Sequence, residues 1–263
     1  MSIDIRKPLK HFLPHFLQAR TDGLNEADTV LRLCHFFEEV LGYDGIQDVS
    51  REAQIKNKYV DICLKIDGRL RLIVEVKAAD QQLRDRHIEQ AQAYASQNNY
   101  HWVVLTNGVD WHLYHLKFDE GIEYERAFMV SLDSEDSLDD AAQKLSLLHK
   151  QSVRKGELED YWAKTTALCA GSIGKILFNE SVLRLIRREI RRDTGLLIDS
   201  EDLAKSLHDM LCKEAVEQIG PLRIRKRRRI THKSNKEEDS EVLPADAPVI
   251  EDVDKKPCSQ SSQ

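Results

Sequence analysis

The apolar spacing of this sequence predicts an α/β fold, a mixed β-sheet flanked by helices and followed by a helical segment. The order of patterns carries the reading. A helix, three strand-like runs, a second helix and two or three further strands fall within about the first 130 residues, and after Ser137 the patterns are helical.

Each element has a local reason. Between Asn25 and Leu41 the apolar residues Val30, Leu31, Leu33, Phe36, Phe37, Val40 and Leu41 recur at helical spacing, with Asn25 as a cap and Gly42 as a stop. Strand-like runs follow at 49–56, 59–66 and 70–77, the latter two separated by Asp67-Gly68. A longer helix is expected over 80–97, then a strand at 101–105, a turn at Asn107-Gly108, a strand at 110–116 and another near 122–130. Helical patterns occupy roughly 138–149, 157–169, 178–193 and 200–218. From Pro221 a basic run, RIRKRRR, leads into an acidic, Pro- and Ser-containing end with too few large apolar residues to pack, so disorder is expected there. The expected division is a strand-rich domain at 1–135, a helical segment at 136–219 and a charged tail at 220–263.

Composition narrows the function. With 263 residues, 41% hydrophobic and 32% charged, the chain can bury a core but is too short for a large machine with several engines. No window approaches eighteen consecutive apolar residues, and Lys10, His11, Pro14 and His15 interrupt the opening stretch, so neither a membrane span nor a signal peptide is expected. Five dispersed cysteines, Cys34, Cys63, Cys169, Cys212 and Cys258, show no zinc-ligand spacing and point to a reducing cytoplasm. Net charge is −6, so polyanion binding must come from local patches. GSIGK at 171–175 is not a phosphate loop: Cys169 stands where the first glycine is required and Ile176 where Ser or Thr should follow the lysine. No nucleotide-triphosphate site is expected.

The informative stretch is YVDICLKIDGRLRLIVEVK, residues 59–77. If Asp67, Gly68 and Arg69 form a three-residue turn, Ile66 faces Leu70 and Asp61 lies directly across from Glu75. One face then reads Val60, Ile62, Leu64, Ile66, Leu70, Leu72, Val74 and Val76, while Asp61, Cys63, Lys65, Arg71, Ile73, Glu75 and Lys77 occupy the other. Two carboxylates facing each other across strands destabilise a sheet by ~0.2–1 kcal/mol unless a cation neutralises them. Lys77 on the same face serves in part, and an oxygen-only ligand pair suits magnesium or manganese better than zinc.

Asp61 followed by Glu75-Val76-Lys77 resembles the catalytic core of the PD-(D/E)xK nuclease superfamily, with Tyr59-Val60 standing where the motif's proline would be. Gln90 and Tyr94 match the QxxxY pair of such nucleases, Glu26 matches an acid of the first helix, and the phrase VVLTNGVDWHLY follows in order. Together these are similar to the N-terminal nuclease domain of type I restriction enzyme R subunits and its stand-alone relatives, sometimes described as predicted type IV restriction endonucleases, over roughly residues 20–120. The resemblance implies a restriction-endonuclease-like sheet and Mg2+- or Mn2+-dependent DNA cleavage, with Asp61 and Glu75 as metal ligands and Lys77, Gln90, Tyr94 and Glu26 in the site. Glu52 is a candidate supporting acid. The motor does not carry over, so ATP-driven translocation would need another protein, and the partners expected beside DNA are either a second copy of the chain, as a homodimer, or a separate motor or specificity protein. An alternative reading is a binding module that keeps the nuclease fold without cutting.

Two basic features lie outside that stretch. Arg184, Arg187, Arg188, Arg191 and Arg192 share one arc of the 178–193 helix and are candidates for phosphate contacts, against the plainer reading of a solvated face. The run 223–229 reads as part of a solubilising tail. Trp102, Trp111, Tyr114 and Phe118 fit core filling, and His101, His112 and His115 do not converge on a metal, so none is assigned a catalytic role.

Overall fold

The structure, a computed structural model, describes residues 3–55, 58–118, 121–133 and 138–221, and within them every side chain except those of 52–55, 58, 59, 90, 93, 94, 97, 98, 214 and 218. The tail expected from Pro221 therefore lies, from residue 222 on, outside the described residues.

Two helices open the chain, α1 (Arg6–Thr21) and α2 (Glu26–Glu39). The first departs from the sequence reading, which placed no helix before residue 25. Its buried residues Leu9, Phe12, Leu13, Phe16 and Ala19 follow helical spacing. Pro14 sits inside the helix on the exposed side, so the hydrogen bond it cannot donate is lost where water can compensate. Asn25 caps α2 as expected, its side chain accepting from the Asp28 N–H at 2.9 Å.

Six strands follow, β1 (Val49–Ile55), β2 (Lys58–Ile66), β3 (Arg69–Val76), β4 (Trp102–Thr106), β5 (Asp110–Lys117) and β6 (Glu123–Ser131), paired in chain order in one sheet. All neighbours are antiparallel except β3 and β4, which run parallel because helix α3 (Glu89–Asn98) returns the chain between them. The sheet is thus mixed, as the sequence order predicted. The helix expected over 80–97 begins later, after a loop and a short 3-10 turn, Asp85–Ile88.

The β2–β3 hairpin reaches the expected register by a different route. Asp67 and Gly68 both have positive φ, 53° and 73°, and form a two-residue turn in which Ile66 pairs with Arg69 and Lys65 with Leu70. Such a turn alone would offset the strands by one residue and send Asp61 and Glu75 to opposite faces. A bulge at Arg71 removes the offset, so Leu64 pairs with Leu72, Cys63 with Ile73 and Ile62 with Val74. Continuing that pairing sets Asp61 across from Glu75. Val60 and Leu70 depart from the predicted face and pack with the cluster of Cys63 and Ile73, Leu70 because the bulge shifts its pairing to Lys65.

The larger core lies on the sheet face carrying Ile62, Leu64, Leu72, Val74, Trp111 and Leu113, covered by α1 and α2. The aromatic rings of Phe16, Phe36 and Phe37 pack around Trp111 at centroid distances of 5.1–6.4 Å. The same core takes in α4 (Leu138–Leu145), α5 (Lys150–Lys155) and α6 (Glu157–Leu168) through Leu145, Val153 and Leu158. On the opposite face α3 contributes Ala91 and Ala95 to a smaller cluster with Cys63, Ile73, Leu105 and Tyr114. Four more helices complete the described chain: α7 (Ala170–Leu177), α8 (Glu180–Thr194), α9 (Ser200–Asp209) and α10 (Lys213–Ile219). The single helix expected over 200–218 is broken between Asp209 and Lys213, with Cys212 in extended conformation before α10.

Candidate active site

The face covered by α3 also carries the acidic pair. Glu75 is 4% exposed, near the end of a strand whose last five residues are all buried. Asp61, half-buried on β2, accepts the Val76 N–H at 2.7 Å through its Oδ2. That bond ties the Asp61 side chain to the backbone between Glu75 and Lys77. Lys77 Nζ donates to Glu75 Oε1 at 2.8 Å and lies 3.4 Å from Glu26 Oε1, with the lysine side chain 14% exposed.

Glu26 arrives from distant sequence for a local reason. The Ala79 N–H donates to Leu24 O at 2.9 Å, fastening the loop after β3 to the turn before α2. The capped first turn of α2 then faces the end of β3, and Glu26 meets the lysine. Four of the predicted site residues, Asp61, Glu75, Lys77 and Glu26, are therefore assembled by three elements: β2, β3 and the start of α2.

Burial, and next the Asp61 charge, push the Glu75 carboxyl from its ordinary 4.5 up to about 7 against the opposing pull of Lys77. For the Lys77 amine burial acts downward, but its hydrogen bond to Glu75 and the charges of Glu75, Glu26 and Asp61 raise it above its ordinary value. Glu75, Glu26 and Asp61 thus all act on the one amine. The other buried acid, Asp48, is better served: Lys150 Nζ lies 2.5 Å from it and the Asp44 N–H donates to it at 2.8 Å.

The donor set fits a magnesium-type ion. Among the described residues no group of three or more His, Cys, Asp or Glu converges as metal ligands, so a closed cage of protein ligands is not offered there. Magnesium is commonly held by one or two carboxylates and keeps waters or substrate phosphates in its other positions. Asp61 and Glu75 would supply two oxygen ligands of that kind.

The remaining candidates are placed less closely. Gln90 and Tyr94 lie four apart on α3, which packs on β2, β3 and β4, and their side chains are outside the described residues, as is that of Glu52 on β1. On α8, Arg184, Arg188, Arg191 and Arg192 are exposed. Arg187 is drawn off the stripe: it is half-buried, donating from Nε to Ile198 O at 2.5 Å and from NH1 to Ser200 Oγ at 2.8 Å, which secures the α8–α9 connection. Arg184 pairs with Glu180, and Arg188 and Arg192 pair with Glu189, so part of the positive charge is neutralised on the helix itself.

The phrase TNGVD (106–110) is structural. Thr106 Oγ1 accepts the Gly108 N–H, Asn107 Oδ1 accepts from Val109 and Asp110, and Asp110 binds Arg20 of α1 and Ser131. Asn107 Nδ2 also donates to Gln81 O at 2.9 Å, holding the loop that leaves the site. Sequence reading missed that loop: its His87 lies in the field of Lys77, Arg84 and Arg86, and the only signal was a cluster of basic residues at the head of an expected helix.

The family model described as Type I restriction enzyme R protein N terminus (HSDR_N) matches residues 32–127. No curated protein and no solved structure matches the chain. The matched span runs from within α2 into β6 and holds Asp61, Glu75 and Lys77, and over it this chain is similar to the N-terminal domain of type I restriction enzyme R proteins.

Proposed function

We propose that the chain is a divalent-metal-dependent endonuclease of restriction type that hydrolyses phosphodiester bonds in DNA. The observation that carries this reading is the placement of Asp61 and Glu75 on adjacent strands with the Lys77 amine 2.8 Å from Glu75. A divalent ion held by the two carboxylates would polarise a phosphate and lower the pKa of an attacking water. Asp61 is oriented for that task by the Val76 N–H, and Glu75 by Lys77. The lysine, kept cationic by its acidic neighbours, would orient the attacking water or offset charge growing on the phosphoryl oxygens. Glu26 would limit the motion of the amine.

Burial favours an enzyme over a binding module on the same fold. A 4%-exposed carboxylate beside another acid costs stability, and a surface that only holds nucleic acid gains nothing from it. The exposed arginines of α8 would add salt-dependent contacts to the DNA backbone, and translocation along DNA would be supplied by another protein.

The test compares wild type with Lys77→Ala on modified and unmodified plasmid DNA, with magnesium and with manganese. Wild type is expected to convert supercoiled plasmid to nicked or linear forms, and the variant to lose about 100-fold or more in rate, the scale for removing one group that stabilises transition-state charge. Equal cutting by both proteins, or plasmid left intact by wild type on every substrate and metal, would overturn the proposal.

A further inference from the structure

The loop between β3 and α3 leaves the end of the strand that carries Glu75 and is held at three points. Ala79 N–H donates to Leu24 O at 2.9 Å, Asn107 Nδ2 to Gln81 O at 2.9 Å, and Tyr114 Oη to Asp85 Oδ1 at 2.6 Å. Leu83 and Ile88 are buried on either side of the turn, 9% and 0% exposed. The intervening residues are therefore presented on a fixed frame.

That frame carries Arg84 and Arg86, both exposed and neither with an ion-pair partner among the described residues. The nearby carboxylates do not cancel them: Asp85 is engaged by Tyr114 and lies 3.6 Å from Arg126, while Asp80 and Glu89 are exposed at the ends of the segment. His87 adds a third group. Its Nδ1 accepts the Arg84 N–H at 3.2 Å, so a neutral ring carries its proton on Nε2, the nitrogen pointing away from that contact. The charges of Lys77 and Glu26 both act on the ring, and the loop that bears it leaves the end of β3 and is tied by Ala79 to Leu24, two residues before Glu26. Burial first, then Lys77, Arg86 and Arg84, lower its proton affinity, favouring a neutral donor.

An acidic centre with cations on the adjoining, anchored loop suits a phosphodiester. We propose that Arg84, Arg86 and His87 form a phosphate-binding lip that grips the DNA backbone beside the Asp61–Glu75 centre, and that Tyr114 is a positioning residue acting through Asp85. The inference rests on the nuclease reading for what lies beside the lip, but its own readout is DNA binding.

The test measures binding of the full chain to a short DNA duplex by fluorescence anisotropy across a salt series, with calcium in place of magnesium, alongside plasmid cutting with magnesium. The double variant Arg84→Ala/Arg86→Ala is expected to lower affinity by about tenfold or more and to reduce the slope of log affinity against log salt by about two, one for each phosphate that an arginine no longer neutralises. Tyr114→Phe should reproduce part of that change in the wild-type background and add nothing to the double variant. His87→Gln, which keeps a donor near the position of Nε2, should bind more tightly than His87→Leu. A double variant that folds by circular dichroism and shows the wild-type salt slope would overturn the lip, even if Lys77→Ala has lost cutting and the nuclease reading stands. A reduced slope in a protein whose wild type never cuts DNA would uphold the lip and overturn the nuclease reading.

Discussion

A carboxyl group that is 4% exposed and faces a second carboxylate is disfavoured as an anion, so Glu75 lowers the stability of the fold that displays it. Its proton affinity is raised in the folded state, from 4.5 to about 7. The folded chain therefore holds a proton that the unfolded chain releases between those values, and the associated stability, present below pH 4.5, is lost as pH rises through about 7. In metal-free buffer at pH 8, Glu75→Gln should therefore be more stable than wild type by on the order of 1–3 kcal/mol. The difference should shrink toward pH 5. Magnesium should raise the melting temperature of wild type and leave that of Glu75→Gln unchanged, because a ligand stabilises only the state that binds it. A variant that melts lower at pH 8, or responds to magnesium as wild type does, would show that Glu75 is neither strained nor a ligand. The chemistry of this residue was legible in the sequence from its spacing to Asp61. Its burial was not, because burial depends on α3 and on the parallel neighbour β4.

At the scale of elements, the β2–β3 hairpin shows how a pattern can be read correctly through a mistaken turn. Alternation of apolar residues demanded a register, and both a three-residue turn and a two-residue turn with one bulge satisfy it. Asp67-Gly68 is a strong two-residue turn signal, so the chain takes the tight turn and absorbs the extra residue at Arg71. The turn between β4 and β5 is less tolerant. Gly108 has φ +92°, and a Cβ there would meet Phe16 Cδ1 at 2.7 Å, in the packing between α1 and the sheet. Gly108→Ala is expected to destabilise the chain by about 2 kcal/mol or more, from left-handed backbone strain together with the clash. Chemical denaturation checks this, and a change below about 0.5 kcal/mol, the scale of an ordinary surface substitution, would mean that α1 yields easily. For α8, neutralising Arg184, Arg188 and Arg191 together should flatten the salt dependence of DNA affinity, whereas Arg187→Ala should act on stability by removing its bonds to Ile198 and Ser200. Affinity unchanged by the triple substitution at every salt concentration would remove the helix from the DNA interface.

Across the whole molecule, the sheet and the C-terminal helices meet at a stack of rings. His115 lies between His101, at 5.5 Å, and Trp162 of α6, at 4.8 Å, with Trp102 edge-on at 4.8 Å. Burial, then the neighbouring His101 and Lys117, lowers its proton affinity from 6.5 to about 4, and its Nδ1 has no hydrogen-bond partner among the described residues. The unfolded chain binds this proton where the folded chain does not, so stability present above pH 6.5 is lost as pH falls through about 4. Melting temperature and tryptophan fluorescence measured from pH 7.5 to 4.5 should show weakening that His115→Phe reduces. An identical pH profile for the variant would assign acid sensitivity elsewhere, with Asp110 the alternative: despite burial, Ser131, Asn107 and Arg20 hold its carboxyl below the usual range.

The sequence by itself determined the order of strands and helices, the acid–acid–lysine motif and the capped start of α2, because periodicity, turn residues and spacing are local properties of the chain. It did not reveal α1, whose apolar stripe was masked by Pro14 and flanking charges until the sheet gave that stripe something to cover. Tertiary structure alone decided that Glu26 joins Lys77, that Glu75 is buried, and where the loop bearing Arg84, Arg86 and His87 is anchored. Each of those facts depends on segments far apart in the chain meeting in space, and no local pattern encodes where such a meeting closes.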